Sequence, residues 1–400
     1  MLFLGILFFV SACAAIALSS SKNFTGPTSI AEKDSTQTAE LLADARASSA
    51  APVSTSALLF SASSSSSSSP SINSSPLGPI SISSSTKVTT VDPFSFPATS
   101  RSLALGVCWA PKHNMSSPAD ILADALLIRR HFRQVRTFYS AYYQTPVMPY
   151  FVQAGLKAVL GVFMYPDEPS WTEAEKRVAV QSAISFPSHT VAIYVGNENV
   201  APYGNYSVDE LIRHMQDVRE GLREKGVQVP VGTVQRLTEW LREKDEMDRL
   251  AEASDLLGVN FYPYFSIDGE SLEAQWEKMV KRYPNHMQKI RVTETGWPSA
   301  GSPNFANRTA SHAQAEAYYQ TYVKWACEQR RRIEGEEEKG GGAETFYYAY
   351  FDGRAPSTAP DYEAHFGLVT EDGNKPKFEL EDGFCPGEKE LLQEKDDKTF

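Results

Sequence analysis

From about residue 103 onward, short apolar runs alternate with longer amphipathic stretches. The runs are LALGVCW (103–109), QVRTFY (134–139), LKAVLGVFM (156–164), VAIYVGNE (191–198), VPVGTV (229–234), LLGVNFY (256–262), IRVTET (290–295) and FYYAYFD (346–352), eight in all. They are continuously apolar rather than alternating, the pattern of parallel strands buried on both faces. The stretches between them carry helix signals. SPADILADALLIRRHF opens with Ser117 at an N-cap position and Pro118 in the first turn. YSVDELIRHMQDVREGLREKG ends on Gly226, a C-terminal cap signal. SWTEAEKRVAVQSAI, TEWLREKDEMDRLAEA, SLEAQWEKMVKRY and TASHAQAEAYYQTYVKWACEQ supply further helices. Eight strand–helix units within residues 101–386 predict one (β/α)8 TIM barrel, an architecture of typically about 250 residues. A doubly wound open sheet is the structural competitor, but no Gly-x-Gly-x-x-Gly follows any strand.

Composition changes the picture upstream. Residues 19–100 are a different material: their stretch SASSSSSSSPSINSSPLGPISISSSTKVTT (61–90) is Ser/Thr/Pro-rich and almost free of aromatic and charged side chains. Such a segment buries too little apolar surface to offset its ordering entropy, and is expected to be a disordered, O-glycosylated stalk. Residues 1–18, MLFLGILFFVSACAAIAL, are apolar and contain Ala-x-Ala cleavage patterns. They read as a secretion signal, with an uncleaved anchor as the alternative. The acidic, Gly-rich EGEEEKGGGAE (334–344) reads as a surface loop before the last strand, and 387–400 as a charged tail.

A net charge of −11 argues against nucleic acid or an anionic membrane surface as partner, and suits a neutral substrate. Sequons at Asn23, Asn73, Asn114, Asn205 and Asn307 fit a secreted glycoprotein at a cell wall or cell surface. Signal cleavage would leave Cys108, Cys327 and Cys385. Cys108, inside an apolar run, is expected to be buried and unpaired, and a Cys327–Cys385 bridge is open to the other two. No Cys/His cluster points to a metal, and no cofactor or protein partner is expected.

In such barrels the active site lies at the C-terminal strand ends. The fourth run ends on Asn197 and Glu198, the seventh on Glu294 followed by Trp297, and the sixth on Tyr262 and Tyr264. The second ends with Arg136 and Tyr139, and the eighth with Asp352. Acids at the ends of buried strands are costly unless paired or used. Two facing carboxylates are the minimum machinery for glycoside hydrolysis: one donates a proton to the leaving oxygen, the other attacks or directs water. A separation of about 5–5.5 Å gives retention, and roughly 6.5–9.5 Å inversion. Neighbouring aromatics suit the apolar faces of a sugar ring.

VGNE followed by VTETGWPS resembles glycoside hydrolase family 17, the β-1,3-glucanase family of plants and fungi. LGVCW, VNFYPYF and EAHFGLVTEDGNKPK extend the resemblance over about residues 103–378. It implies a retaining enzyme on β-1,3-glucan acting through a covalent glycosyl-enzyme intermediate. Glu198 would be the general acid/base and Glu294 the nucleophile. Asn197 would bind the sugar 2-hydroxyl, Tyr262 would hold the nucleophile, and Arg136 would keep it ionised. Tyr139 and Trp297 are further substrate-binding candidates.

The chain departs from the family pattern in two places. The eighth strand has Phe351-Asp352-Gly353-Arg354 where the family has Phe-Asp-Glu and then a basic residue, and the second has Arg136-Thr137-Phe138-Tyr139 where it has Arg-x-Tyr. Both catalytic acids stay in place, while linkage preference is left open. Glucan transglycosylation, a β-1,6-active relative, and a catalytically weak glucan-binding wall protein are the alternatives.

Overall fold

A computed structural model describes residues 105–111, 117–335, 344–353, 359–370, 373 and 375–380. The expected signal, stalk and charged tail, and Arg354, lie outside these residues. Eight parallel strands form a closed barrel: β1 (Gly106–Trp109), β2 (Gln134–Thr137), β3 (Lys157–Val162), β4 (Thr190–Asn197), β5 (Val231–Arg236), β6 (Leu257–Asn260), β7 (Ile290–Thr295) and β8 (Thr345–Tyr347). Each pairs with its sequence neighbours, and β8 closes on β1 through Gly106↔Phe346. The helices between them are α1 (Pro118–Arg129), α2 (Met148–Gln153), α3 (Pro169–Ser185), α4 (Val208–Arg223), α5 (Leu237–Trp240), α6 (Asp245–Ala253), α7 (Leu272–Arg282) and α8 (His312–Gly335).

Local chemistry sets the helix ends. Ser117 and Asp120 form a capping box on α1, and Ser207 and Glu210 form one on α4. Gly226, at φ 68°, lets the chain leave α4 while Val227 N–H returns to the Leu222 carbonyl at 3.1 Å. Residues 238–253 do not form one helix as the pattern predicts. Trp240 is fully buried and its Nε1 donates to the Gly258 carbonyl at 2.8 Å, which pins α5 to the barrel wall. Lys244 is extended, and the chain restarts as α6.

The apolar side chains form two layers. Cys108, Val159, Ala192, Tyr194, Val234, Leu256 and Phe346 fill the barrel interior. Their strand neighbours Val107, Val135, Leu160, Ile193 and Val259 join the larger core with the helices. Cys108 is free and buried, burial pushes its thiol up to about 12, and the neutral thiol donates to the Thr293 carbonyl at 3.3 Å. Cys327 is disulfide-bonded, and Cys385, its expected partner, lies outside the described residues.

Strict alternation would turn Glu294 outward, because Arg291 and Thr293 face in while Ile290 and Val292 join the outer core. An irregularity in β7 prevents this: Val292 to Glu294 spans two residues where β6 spans one, Val259 to Asn260. β4 does the same, running three residues from Tyr194 to Asn197 against two on β5, Gly232 to Val234. Gly196 sits in that irregularity at φ 78°, and Glu198 follows at φ 54°. Extra residues of this kind re-aim side chains beside active sites.

Gly196→Ala tests the β4 irregularity. The new Cβ would sit in a left-handed conformation, 2.9 Å from Asn199 Oδ1. A loss of about 1–2 kcal/mol in urea unfolding is expected, together with a fall in whatever turnover depends on Glu198.

Candidate active site

Five of the seven predicted site residues converge at the C-terminal mouth of the barrel. Glu294 ends β7 fully buried. Its Oε1 accepts from Arg136 Nη1 at 2.8 Å and its Oε2 from Tyr262 Oη at 2.8 Å, so both oxygens are fixed. Arg136, 2% exposed, also donates to the Thr293 carbonyl at 3.0 Å and to Asn197 Oδ1 at 2.7 Å. Asn197 is thereby oriented, with its Nδ2 buried and unpaired in the protein. On the other side, Glu198 Oε1 accepts from Asn260 Nδ2 at 2.7 Å, and Asn260 Oδ1 accepts from Thr293 Oγ1 at 2.8 Å. The acid on β4 and the acid on β7 are therefore tied into one network through β2 and β6.

Burial pushes the Glu294 carboxyl up to about 7; Arg136 pulls it down, Glu198 adds to the rise, and Tyr262 opposes it. The two bonds to Glu294 are the kind that favour its anion. Burial, and then Glu294, raise the Tyr262 phenol well above its ordinary range, so it remains a donor.

Tyr139 and Trp297 stand outside this hydrogen-bond network and engage other partners. Tyr139 hydrogen-bonds Tyr165 and stacks on Phe163, with ring centroids 4.8 Å apart. Trp297 packs against Tyr264 and Tyr318. Asp352 turns to Lys377, 2.6 Å away. A Cβ at Gly353 would meet nothing within 4 Å, so the absence of a side chain there does not reflect lack of room.

The site also contains residues that strand-end reasoning passed over: Asn260, Arg236, Tyr348, Phe366 and Glu363 all line a cavity of about 280 Å³ with Glu198 and Tyr262. Glu363 lies in a 3-10 turn (Asp361–His365), far in sequence from any strand end but inside the EAHFGL segment. Burial, then Glu198 and Glu294, push its carboxyl up to about 8. Away from the site, Glu173, His214 and Asp217 have metal-like spacing, but Lys176 Nζ lies 2.7 Å from both acids and supplies the cation.

This fold and carboxylate pair define a (β/α)8 glycosidase architecture. The chain belongs to glycoside hydrolase family 17, matching over residues 106–367 the family described as the BtgE/BtgC glycoside hydrolase domain. It is similar to a glucan 1,3-beta-glucosidase of Arthroderma benhamiae, 25% identical over 305 residues, 71% of this chain and 91% of that one. It also resembles a probable beta-glucosidase btgE of Aspergillus terreus, 26% identical over 232 residues. That match covers 55% of this chain and 40% of the relative's length. A β-1,3-glucanosyltransferase of Rhizomucor miehei shares the fold, with a TM-score of 0.53 and 21% identity over 70% of this chain and 98% of that one.

Glu363→Gln removes a carboxyl whose folded form resists ionisation. The sign follows from linkage: the unfolded chain ionises near 4.5, the folded one near 8, so this group's contribution to stability falls as pH rises between them. The melting temperature of the variant is expected to match wild type near pH 4.5 and to exceed it increasingly towards pH 8.

Proposed function

We propose that this chain is a retaining glycoside hydrolase that acts on β-1,3-linked glucan. The observation that carries the reading is the asymmetry of the two acids. Glu294 is locked on both oxygens by a cation and a phenol, as a nucleophile requires. Glu198 accepts a short hydrogen bond on Oε1 only, from Asn260, and lines the cavity, while its Oε2 stands 3.5 Å from Arg236 Nη1 with no short bond, as suits a proton shuttle.

The first half-reaction follows from these roles. Glu198 gives its proton to the glycosidic oxygen while Glu294 bonds the anomeric carbon, and the leaving sugar departs. Asn197 Nδ2 suits a hydrogen bond to the 2-hydroxyl of the sugar being transferred. In the second half-reaction Glu198 takes a proton from water, the oxygen attacks the anomeric carbon, and the ester to Glu294 breaks. Arg136 and Tyr262 receive the returning carboxylate without rearrangement, because they already bond it.

The glucan preference is supported by the likeness to the glucan 1,3-beta-glucosidase of Arthroderma benhamiae. A wall or cell-surface setting is supported by the Ser-rich segment and by Asn205 and Asn307, both exposed. Among the described residues no helix is long and apolar enough to cross a membrane.

Product anomers followed by NMR on a linear β-1,3-glucan are expected to show net retention; an inverted first product removes the nucleophile role from Glu294. Glu198→Ala is expected to lose about 10²–10⁴-fold on that glucan and to regain turnover on an activated aryl glycoside with azide. Arg136→Gln removes the group that pulls the Glu294 carboxyl down, so the acid limb of kcat/KM should move to higher pH.

A further inference from the structure

A second buried charge pair stands on the Glu198 side of the cavity, and the two half-reactions above do not use it. Arg236, the last residue of β5, is 7% exposed. Its Nε donates to both oxygens of Glu239, at 2.9 and 3.1 Å, and Glu239 is fully buried at the start of the following helix. The guanidinium carbon also lies 5.7 Å from the centre of the Tyr203 ring. Held from both sides, the planar group is pre-organised.

Its position relative to the acid is specific. Arg236 Nη1 is 3.5 Å from Glu198 Oε2, while Oε1 is taken by Asn260. On the glycosidase reading, Oε2 is then the oxygen left to pass the proton, which would place the sugar unit that receives it beside Arg236. The cavity lining also includes Leu237, Leu241, Phe265, Ile267 and Phe305, together with Asp268 and the paired Glu270 and Lys278. The Phe265 and Phe305 rings are nearly parallel, 11° apart with centroids 6.2 Å from one another. An apolar wall with a fixed polar anchor is the makeup of a neutral-ligand subsite. Glu239 is the counter-charge of Arg236, so what the pair presents to the cavity is mainly donor geometry.

We propose that Arg236, fixed by Glu239, anchors the leaving-group sugar in the first half-reaction and an incoming acceptor sugar in the second, favouring transfer to a glucan hydroxyl over transfer to water. The proposal rests on the glycosidase reading given above. In the transfer step the acceptor hydroxyl gives its proton to Glu198 Oε2. Its oxygen bonds the anomeric carbon as the bond to Glu294 breaks, and Glu294 returns as carboxylate.

The test uses the full chain with para-nitrophenyl β-laminaribioside as donor and laminaribiose as acceptor. The ratio of transfer product to hydrolysis product is followed against acceptor concentration for wild type, Arg236→Gln and Arg236→Lys. Both products leave one intermediate and need the same Glu198, so effects acting only through Glu198, or a smaller folded fraction, cancel in the ratio. Arg236→Gln is expected to need roughly ten- to hundredfold more laminaribiose to reach the wild-type ratio, the loss of one charge-assisted hydrogen bond. Arg236→Lys should fall between. An unchanged ratio overturns the proposal, as does a wild type that partitions only to water at every acceptor concentration while still turning over the donor. Release of no nitrophenol by wild type instead removes the glycosidase reading, and this proposal with it.

Discussion

A guanidinium buried inside a barrel is tolerable only where acceptors surround it and a counter-charge is near. Arg136 meets that condition by drawing on three strands at once: Glu294 and the Thr293 carbonyl from β7, Asn197 from β4, and Cys108 Sγ, 3.7 Å away, from β1. Its carbon also lies 4.8 Å from the centre of the Phe138 ring. The carboxylate that Arg136 needs is the one proposed to attack the sugar, and the amide it orients is the one proposed to bind the 2-hydroxyl. Burial pushes the Glu294 carboxyl up and Arg136 pulls it down. The same contact therefore serves the barrel's internal charge balance and the state of the proposed nucleophile.

Getting both acids to that point requires the sheet to break its own period. A regular β7 would send Glu294 into the layer shared by Val292 and the helices; the extra residue turns it inward. On β4 the left-handed Gly196 and Glu198 achieve a comparable result. Left-handed backbone at a non-glycine residue is unfavourable by about 1–3 kcal/mol and persists only where the surroundings enforce it. Here the Glu198 N–H donates to the Val234 carbonyl at 2.8 Å and its side chain accepts from Asn260, so β5 and β6 do the enforcing.

Charge is distributed unevenly around the mouth. The Glu294 side carries one buried cation matched to one acid. The Glu198 side carries Arg236 already matched to Glu239, with the partly buried Glu363 nearby. Asp352 and Lys377 close on each other. The family's Phe-Asp-Glu segment is thus represented by its Asp in a structural ion pair, with open space beside Gly353. Acidic character at that side of the cavity comes from Glu363 on a different segment.

The sequence by itself determined the barrel, its strand count and the two acids. Continuous apolar runs can be satisfied only by strands covered on both faces, and an acid ending such a run has few places to go. Strand ends also located Arg136, Asn197 and Tyr262, because in this fold the C-terminal end of a strand is the mouth of the site. Only the tertiary structure decided the rest. Tyr139 stands at a strand end yet turns to Tyr165, and Trp297 two residues past β7 turns to Tyr264, because side-chain direction after a strand depends on loops whose course no local pattern sets. Arg236 looks like a polar residue opening a helix until Glu239 and Glu198 are seen on either side of it. Glu363 reaches the cavity from a 3-10 turn. Their placement follows from ring closure, which brings chain segments far apart in sequence to one mouth, and from the irregularities in β4 and β7 that aim the acids there.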